Sequence, residues 1–294
     1  MNKITRMQLI SSGMIVLAVG VLSTLLLNYS NYKSITKRLD ILDQKLASTT
    51  QDIDIDRVSI AKALNLQQQN VGTIEQKLGT YTQQISTVSS TVSTLQKLSK
   101  TDPELLIKYS KVFFLNENYV PAHIIEIPSR YKYSNDKVMS MREEAWPFLQ
   151  KMIENASYAD IQILVDSAYR SFKEQKSLKS SYKVTYGAGT ANQFSADQGY
   201  SEHQLGTTVD LTTTELGGSL DGFDKTKAYT WLVNNAYHFG FILSYPENNK
   251  FYVFEPWHWR FVGVKLATYL HQQNKSFYDM DQRDINEYLV SIFD

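Results

Sequence analysis

The sequence contains no cysteine among its 294 residues, and this absence excludes several kinds of chemistry. The protein cannot form disulfides, bind a metal through thiolates or use a cysteine nucleophile. Basic and acidic residues balance at 30 each, so the formal net charge of +0 indicates no nucleic-acid partner. Proline is scarce, with 6 residues, and none lies between positions 35 and 98. The hydrophobic fraction of 43% nevertheless suits a folded protein with a substantial core.

The N-terminal region predicts a membrane anchor. Lys3 and Arg6 precede an uncharged, mostly apolar stretch from Met7 to Leu27. About 20 such residues cross a bilayer core as a helix. The alternative is a cleaved signal peptide, whose apolar region spans about 7–15 residues and ends in a small-x-small site. This stretch instead runs into Leu-Leu-Leu-Asn-Tyr at 25–29, without such a site. We expect residues 1–30 to be a single-pass anchor in the cytoplasmic membrane, with the C-terminal domain extracellular.

Residues 31–102 predict a coiled-coil or helical stalk. Apolar positions from Ile35 to Leu46 recur at alternating steps of four and three, and the rhythm resumes in a shifted frame from Leu78 to Leu95. This spacing is typical of a coiled coil, which would join two chains as a homodimer and lift the domain from the membrane. Polar residues at several seam positions leave a loosely helical linker as the alternative. Pro103 predicts the end of the helix, because proline disfavours helical geometry at the preceding residue.

Residues 103–294 predict one α+β domain, in which helices flank a small, mainly antiparallel sheet. Residues 171–174 read Ser-Phe-Lys-Glu, which fits a capping box at the start of a helix. Residues 208–211 have the pattern of a short strand. Residues 241–244 and 251–254 predict a hairpin around a Pro-Glu-Asn-Asn turn.

Two segments combine metal-ligand residue types with tight turns. They are Ser-Glu-His-Gln-Leu-Gly-Thr-Thr-Val-Asp at 201–210 and Glu-Pro-Trp-His-Trp-Arg at 255–260. Catalytic zinc commonly takes three protein ligands from histidines and carboxylates, a set that His203, Asp210 and His258 could supply. Glu255 lies three residues before His258 and is a candidate general base for metal-assisted hydrolysis. Taken singly, each histidine has a purely structural role as its alternative.

Three motifs occur in a fixed order along the chain. They are Ser167-Ala168-Tyr169-Arg170-Ser171 with Gln175, then Ser201-x-His203-x-x-Gly206-x-x-x-Asp210, then Glu255-Pro256-Trp257-His258-Trp259-Arg260. Together they resemble the motifs of the VanY-like zinc D,D- and L,D-carboxypeptidases of peptidoglycan. The resemblance covers roughly residues 105–290 and does not include the anchor or the stalk. It departs from the family at Ser244, where members often carry arginine, and this departure bears on substrate preference.

The resemblance implies a function and a role for each motif residue. His203, Asp210 and His258 would bind one Zn²⁺ per chain, and Glu255 would activate the attacking water. Arg170 would face the scissile carbonyl or the substrate carboxylate, for which guanidinium donors are suited. Four residues, each with a structural alternative, are expected to contact substrate: Tyr169, Gln175, Ser201 and Trp257. The implied enzyme removes C-terminal D-alanine from peptidoglycan stem peptides by metal-activated water.

Two alternatives to this function stay open at the level of sequence. One is a catalytically idle protein that binds or scaffolds the cell wall through its coiled coil. The intact metal triad and Glu255 argue against it. The other is a D-Ala-D-Ala dipeptidase or an endopeptidase, which the depth of the substrate pocket would separate from a carboxypeptidase.

Overall fold

The computed structural model describes residues 3–110, 113–186 and 196–294. The chain divides into two compact units, one up to Val88 and one from Ser89 to Asp294. The second unit carries every residue for which the sequence predicts a role in catalysis or binding.

A single helix, α1 (Lys3–Lys100), extends from the predicted anchor through the predicted stalk. Its N-terminal part includes an 18-residue window with a mean hydropathy of 2.2, so its length and composition suffice to cross a membrane. The helix ends at Lys100, which confirms the end predicted from Pro103. The coiled coil is not confirmed, because the apolar seam is exposed in the single chain, as at Leu46 and Ile85.

The second unit is an α+β domain, and this fold class is confirmed. Its helices are α2 (Trp146–Tyr158), α3 (Phe172–Tyr186), α4 (Lys227–Asn235), α5 (Val264–Gln273) and α6 (Gln282–Asn286). Its strands are β1 (Ile124–Glu126), β2 (Ser140–Arg142), β3 (Leu164–Ser167), β4 (Thr208–Thr212), β5 (Phe241–Leu243) and β6 (His258–Phe261). Strands β1 and β2 form a two-stranded antiparallel sheet, and the other four form a second sheet in the order β3-β4-β6-β5.

All the pairs in the four-stranded sheet are antiparallel, and their register aligns three polar residues across neighbouring strands. Ser167 on β3 pairs with Asp210 on β4, which in turn pairs with His258 on β6. Because side chains alternate between the faces of a strand, Val209 and Leu211 point away from Asp210. Both are fully buried in the hydrophobic core. The sheet therefore packs its apolar side in the core and presents Asp210 and His258 together on the other side.

The start of helix α3 confirms the predicted capping box. The backbone N–H of Ser171 donates to Oε2 of Glu174 at 2.8 Å, and the N–H of Glu174 donates to Oγ of Ser171 at 3.3 Å. These two bonds satisfy backbone donors that have no partner within the helix.

The predicted hairpin is wrong. Residues 251–254 form no strand, and β5 pairs with β6 instead. Side-chain hydrogen bonds account for the difference. Asn249 Oδ1 accepts from the backbone N–H groups two and three residues further on, and the Tyr252 hydroxyl donates to the carbonyls of Tyr109 and Tyr200. These contacts hold the segment as an irregular loop.

Candidate active site

Asp210 and His258 are brought together by the pairing of β4 with β6. His258 Nδ1 lies 3.2 Å from Asp210 Oδ1. The imidazole of His258 also stacks on the ring of Tyr245, with ring centroids 4.0 Å apart and planes inclined by 8°. Nε2 of His258 lies 3.1 Å from Oε2 of Glu202, so the two ring nitrogens face different carboxylates.

His203 reaches the same place from a short 3₁₀ helix over Glu202–Leu205. Gly206 closes this turn with a φ of 72°, and a Cβ there would lie 3.1 Å from the Pro121 ring. Nδ1 of His203 donates to the carbonyl of Ala168 at 2.7 Å. Because a carbonyl can only accept, the lone pair of His203 lies on Nε2, which is 3.1 Å from Asp210 Oδ2.

His203, Asp210 and His258 fit a divalent metal ion. Each is buried, and their ligand atoms lie within 4.8 Å of one another. Two imidazoles and one carboxylate form a donor set that catalytic zinc sites use, with a further position left for water or substrate. The carbonyl of Ala168 and the carboxylate of Glu202 engage the outer nitrogens of the two rings, which is the usual surrounding of metal-binding histidines.

Electrostatics at the three residues follow from burial and mutual contact. Burial favours a raised pKa for Asp210, but the two histidines outweigh it and hold the pKa well below its ordinary value. Burial lowers the pKa of His203, which keeps this imidazole neutral. Burial also opposes the charged form of His258, but hydrogen bonds with Asp210 and Glu202 prevail and raise its pKa to about 10. A metal ion binding at Nδ1 would displace that proton.

Glu255 lies beside this group at the start of the segment that leads into β6. Its Oε2 is 3.6 Å from Nδ1 of His258, and its side chain is 21% exposed, so it is open to the cleft. Burial raises the pKa of Glu255 to about 7, with His258 opposing the shift. A carboxylate with a pKa near neutrality is suited to accept and return a proton.

Arg170 faces the metal-binding group from the loop between β3 and α3. Its Nη1 donates to Oε1 of Gln175 at 2.7 Å, and its Nη2 donates to Oγ of Ser167 at 2.8 Å. Nη2 also lies 4.0 Å from Asp210 Oδ2. Nε2 of Gln175 donates to the carbonyl of Ala196 at 2.8 Å. Gln175 therefore holds the guanidinium in place, which agrees with the structural alternative to its predicted contact with substrate.

One cleft of about 620 Å³ brings the predicted site residues together. Its walls include the metal-binding group, Glu255, Arg170 and the four predicted substrate contacts, Tyr169, Gln175, Ser201 and Trp257. The location of all nine agrees with a single site. The individual roles assigned to them stay predictions.

Glu202 is a site residue that the sequence reasoning missed. It is fully buried, yet it contacts His258, Arg260, Tyr278 and Ser244. Its position directly before His203 could have indicated this, because a carboxylate in a segment that is buried around a metal site needs a charged or hydrogen-bonding partner. Ser244, noted in the sequence as a departure from the VanY-like pattern, donates its hydroxyl to this carboxylate at 2.9 Å.

Comparison with known proteins identifies the family. The family model of VanY, D-alanyl-D-alanine carboxypeptidase, matches residues 138–264, a range that contains the whole cleft group above. VanXYC of Enterococcus gallinarum, named as a bifunctional D-Ala-D-Ala dipeptidase and D-Ala-D-Ala carboxypeptidase, is 30% identical over 156 residues, which cover 51% of this chain and 79% of VanXYC. The chain belongs to the VanY family.

Two further relatives share this likeness. YodJ of Bacillus subtilis (strain 168), named as a carboxypeptidase, is 33% identical over 173 residues, covering 56% of this chain. The match spans 63% of the length of YodJ, less than two thirds. The solved structure of the LdcB LD-carboxypeptidase superposes with a TM-score of 0.55 at 30% identity, covering 60% of this chain and 86% of LdcB. The range that the family model matches lies within the second unit and outside α1.

Proposed function

We propose that the protein is a zinc-dependent carboxypeptidase that releases C-terminal D-alanine from peptidoglycan stem peptides. The observation that carries the proposal is the meeting of His203, Asp210 and His258 in one cleft, with Glu255 Oε2 3.6 Å from a ligand nitrogen. Membership of the VanY family supports the reaction class. Metal-assisted peptide hydrolysis requires a buried set of metal ligands and, beside it, a carboxylate that is open to the cleft, as that of Glu255 is.

The three ligand residues would hold one Zn²⁺ through Nε2 of His203, the Asp210 carboxylate and Nδ1 of His258. Zinc bound there would lower the pKa of water and polarise the scissile carbonyl. The surrounding structure keeps the ligands in the state that binds a metal, because the Ala168 carbonyl fixes the tautomer of His203.

Glu255 would act as the general base and then as the general acid. Its carboxylate would accept a proton from the attacking water and later deliver it to the nitrogen of the leaving D-alanine. The pKa of about 7 that burial gives to Glu255 suits both transfers near neutral pH. Glu255 lines the same cleft as both histidines, which supports this role.

Arg170 would bind the terminal carboxylate of the stem peptide. Gln175 and Ser167 hold the guanidinium from one side, which leaves its remaining donors for a ligand in the cleft. A planar guanidinium recognises a carboxylate through two parallel hydrogen bonds. The requirement for a free terminal carboxylate would make the enzyme a carboxypeptidase and would disfavour internal cleavage.

The long helix would place this reaction outside the cytoplasmic membrane. We infer that residues 1–30 anchor the chain, that residues 31–102 form a stalk and that residues 103–294 form the peptidase domain. The apolar window in α1 supports the anchor. The substrate supports the extracellular side, because the cell wall lies there.

The decisive experiment measures the mass of the product released from defined stem peptides. The full-length protein in detergent, loaded with zinc, is incubated with a pentapeptide ending in D-Ala-D-Ala and with the tetrapeptide derived from it. Loss of one D-alanine from the pentapeptide identifies D,D cleavage, and loss from the tetrapeptide identifies L,D cleavage. Loss of the dipeptide D-Ala-D-Ala would contradict the proposal in favour of a dipeptidase, an activity named for the relative VanXYC.

The assigned base is tested by Glu255→Gln in the same assay. We expect zinc to stay bound, as measured by elemental analysis, while release of D-alanine falls about 10²- to 10⁴-fold, the range typical of general base catalysis. Glu247→Gln makes the same change at an exposed position and should behave as wild type. Activity of Glu255→Gln close to that of the control would refute the role of Glu255.

A further inference from the structure

Glu202 is a carboxylate enclosed within the domain, and its two oxygens have different partners. Oε1 accepts from Arg260 Nη1 at 2.6 Å, from the Tyr278 hydroxyl at 2.7 Å and from Ser244 Oγ at 2.9 Å. Oε2 lies 3.1 Å from His258 Nε2, its single hydrogen-bond partner among the described residues. The three bonds to Oε1 therefore fix the orientation of the carboxylate, and Oε2 faces His258.

The charge of Glu202 determines which ring nitrogen of His258 must carry a hydrogen. Arg260 is permanently charged, and its Nη1 lies 2.6 Å from Oε1 of Glu202, so this buried pair holds Glu202 as an anionic carboxylate. An ionised carboxylate can only accept hydrogen bonds. Nε2 of His258 must then carry a hydrogen, so the nitrogen that can exchange its proton for a metal ion is Nδ1, which lies 3.2 Å from Asp210 Oδ1.

We propose that Glu202 is a positioning residue of the metal site, which fixes the tautomer and ring orientation of His258 so that Nδ1 is presented to the metal. The inference rests on the metal site proposed above. Outer carboxylates of this kind hold a metal-binding histidine in one orientation and increase the basicity of its ligand nitrogen. Strand geometry supports the arrangement, since His258 and Arg260 lie two residues apart on β6 and project from the same face.

Glu202 does not act on the substrate itself. It is fully buried, and it is absent from the walls of the cleft that hold Glu255 and Arg170. The competing explanation is that Glu202 only neutralises Arg260, whose guanidinium is also fully buried and bonds to the carbonyls of Leu105 and Ile107. A variant that removes the ion pair as a unit separates these two roles.

The test is the double variant Glu202→Leu with Arg260→Met in the full-length protein. Replacing both members of a buried ion pair with apolar residues of similar size avoids an unpaired buried charge and is often tolerated. Zinc affinity is measured by competition with a chelator, and thermal unfolding of the metal-free protein is measured alongside. Ser244→Ala is the control, because it removes a side-chain donor to Oε1 and no contact to the His258 ring.

We expect the double variant to unfold cooperatively and to bind zinc about 10- to 100-fold more weakly than wild type. Ser244→Ala should bind zinc close to the wild-type value. Wild-type affinity in the double variant would show that Glu202 serves only Arg260, and would overturn the inference. Failure of the wild-type protein to bind zinc at all would instead refute the metal site, and the inference with it.

A second measurement uses the wild-type protein and therefore does not depend on whether a variant folds. In the zinc-loaded wild-type protein labelled with ¹⁵N, long-range ¹H–¹⁵N spectra distinguish a protonated ring nitrogen from a metal-bound one. We expect Nε2 of His258 to be protonated and Nδ1 to be metal-bound. Metal at Nε2 would overturn the inference even if the affinity measurements agreed with it.

Discussion

Arg170 is the side chain that, in the proposed function, selects peptides by their terminal carboxylate. Two neighbours hold its guanidinium, and its exposed fraction is 21%, so it is fixed but still open to a ligand. A lysine would retain the charge but lose the fixed fork of donors. We therefore expect a preference for a free terminal carboxylate that depends on arginine and not on charge alone.

Arg170→Lys is therefore expected to raise the KM for a stem peptide with a free C-terminus. A hydrogen bond to a charged group contributes about 1.5–3 kcal/mol, which corresponds to a rise of about 10- to 100-fold. The C-terminally amidated peptide should be a poor substrate for wild type and no worse for the variant. Arg130→Lys, at an exposed position, is the control. An equal fall in kcat for both peptides would place Arg170 at the oxyanion instead.

The candidate metal ligands could be predicted from the sequence because they lie in motifs that occur together in a fixed order, whereas the spacing of His203 and Asp210 alone would not suffice. His203, Asp210 and His258 all lie where that prediction requires. Glu202 could not be assigned in the same way. Its importance depends on which nitrogen of His258 faces the metal, and that follows from the turn over 202–205 and the register of β6, not from spacing along the chain.

Helix α3 shows a local signal that suffices by itself. Its first turn is fixed by the reciprocal bonds of Ser171 and Glu174, and the helix carries Gln175, which holds Arg170. Interactions between residues three apart form without help from distant parts of the chain. The segment after β5 is the opposite case, because Tyr252 is held by Tyr109 and Tyr200, and no pattern along residues 251–254 reveals these partners.

Removing the cap should destabilise the domain measurably. Ser171→Ala is expected to lower the free energy of unfolding by about 1 kcal/mol, because the backbone N–H of Glu174 loses its side-chain acceptor. Urea unfolding followed by tryptophan fluorescence reports on the domain, since all 4 tryptophans lie in it. Ser177→Ala, an exposed serine within the same helix, should change stability by far less. Equal losses in the two variants would argue against the capping role.

At the scale of the whole molecule, α1 leaves a long apolar seam without partners in the single chain. Ile35, Leu39 and Leu42 are each more than half exposed. The sequence predicted the helix and its end correctly, because periodicity and proline act locally. It could not establish the number of chains, since the same seam also suits a loosely helical linker. A homodimer through the stalk stays a prediction.

Cross-linking tests that prediction cleanly, because the chain has no cysteine of its own. Leu42→Cys places a thiol on the seam, and we expect mild oxidation of the membrane-inserted protein to produce a disulfide-linked dimer on a non-reducing gel. Gln44→Cys lies about 200° further round the helix and should cross-link much less. Similar yields from the two positions, or no dimer from Leu42→Cys, would contradict a paired stalk.

Strand β6 joins the interior of the domain to its reactive surface within four residues. His258 and Arg260 project to one side, whereas Trp259 and Phe261 fill the apolar interior on the other. A slip of one position would turn the indole toward the cleft and drive the imidazole into the hydrophobic interior. The two buried aromatic rings thus keep β6 in the register that aligns the candidate ligands. A substitution that shifts this register would reduce both the stability of the domain and its activity.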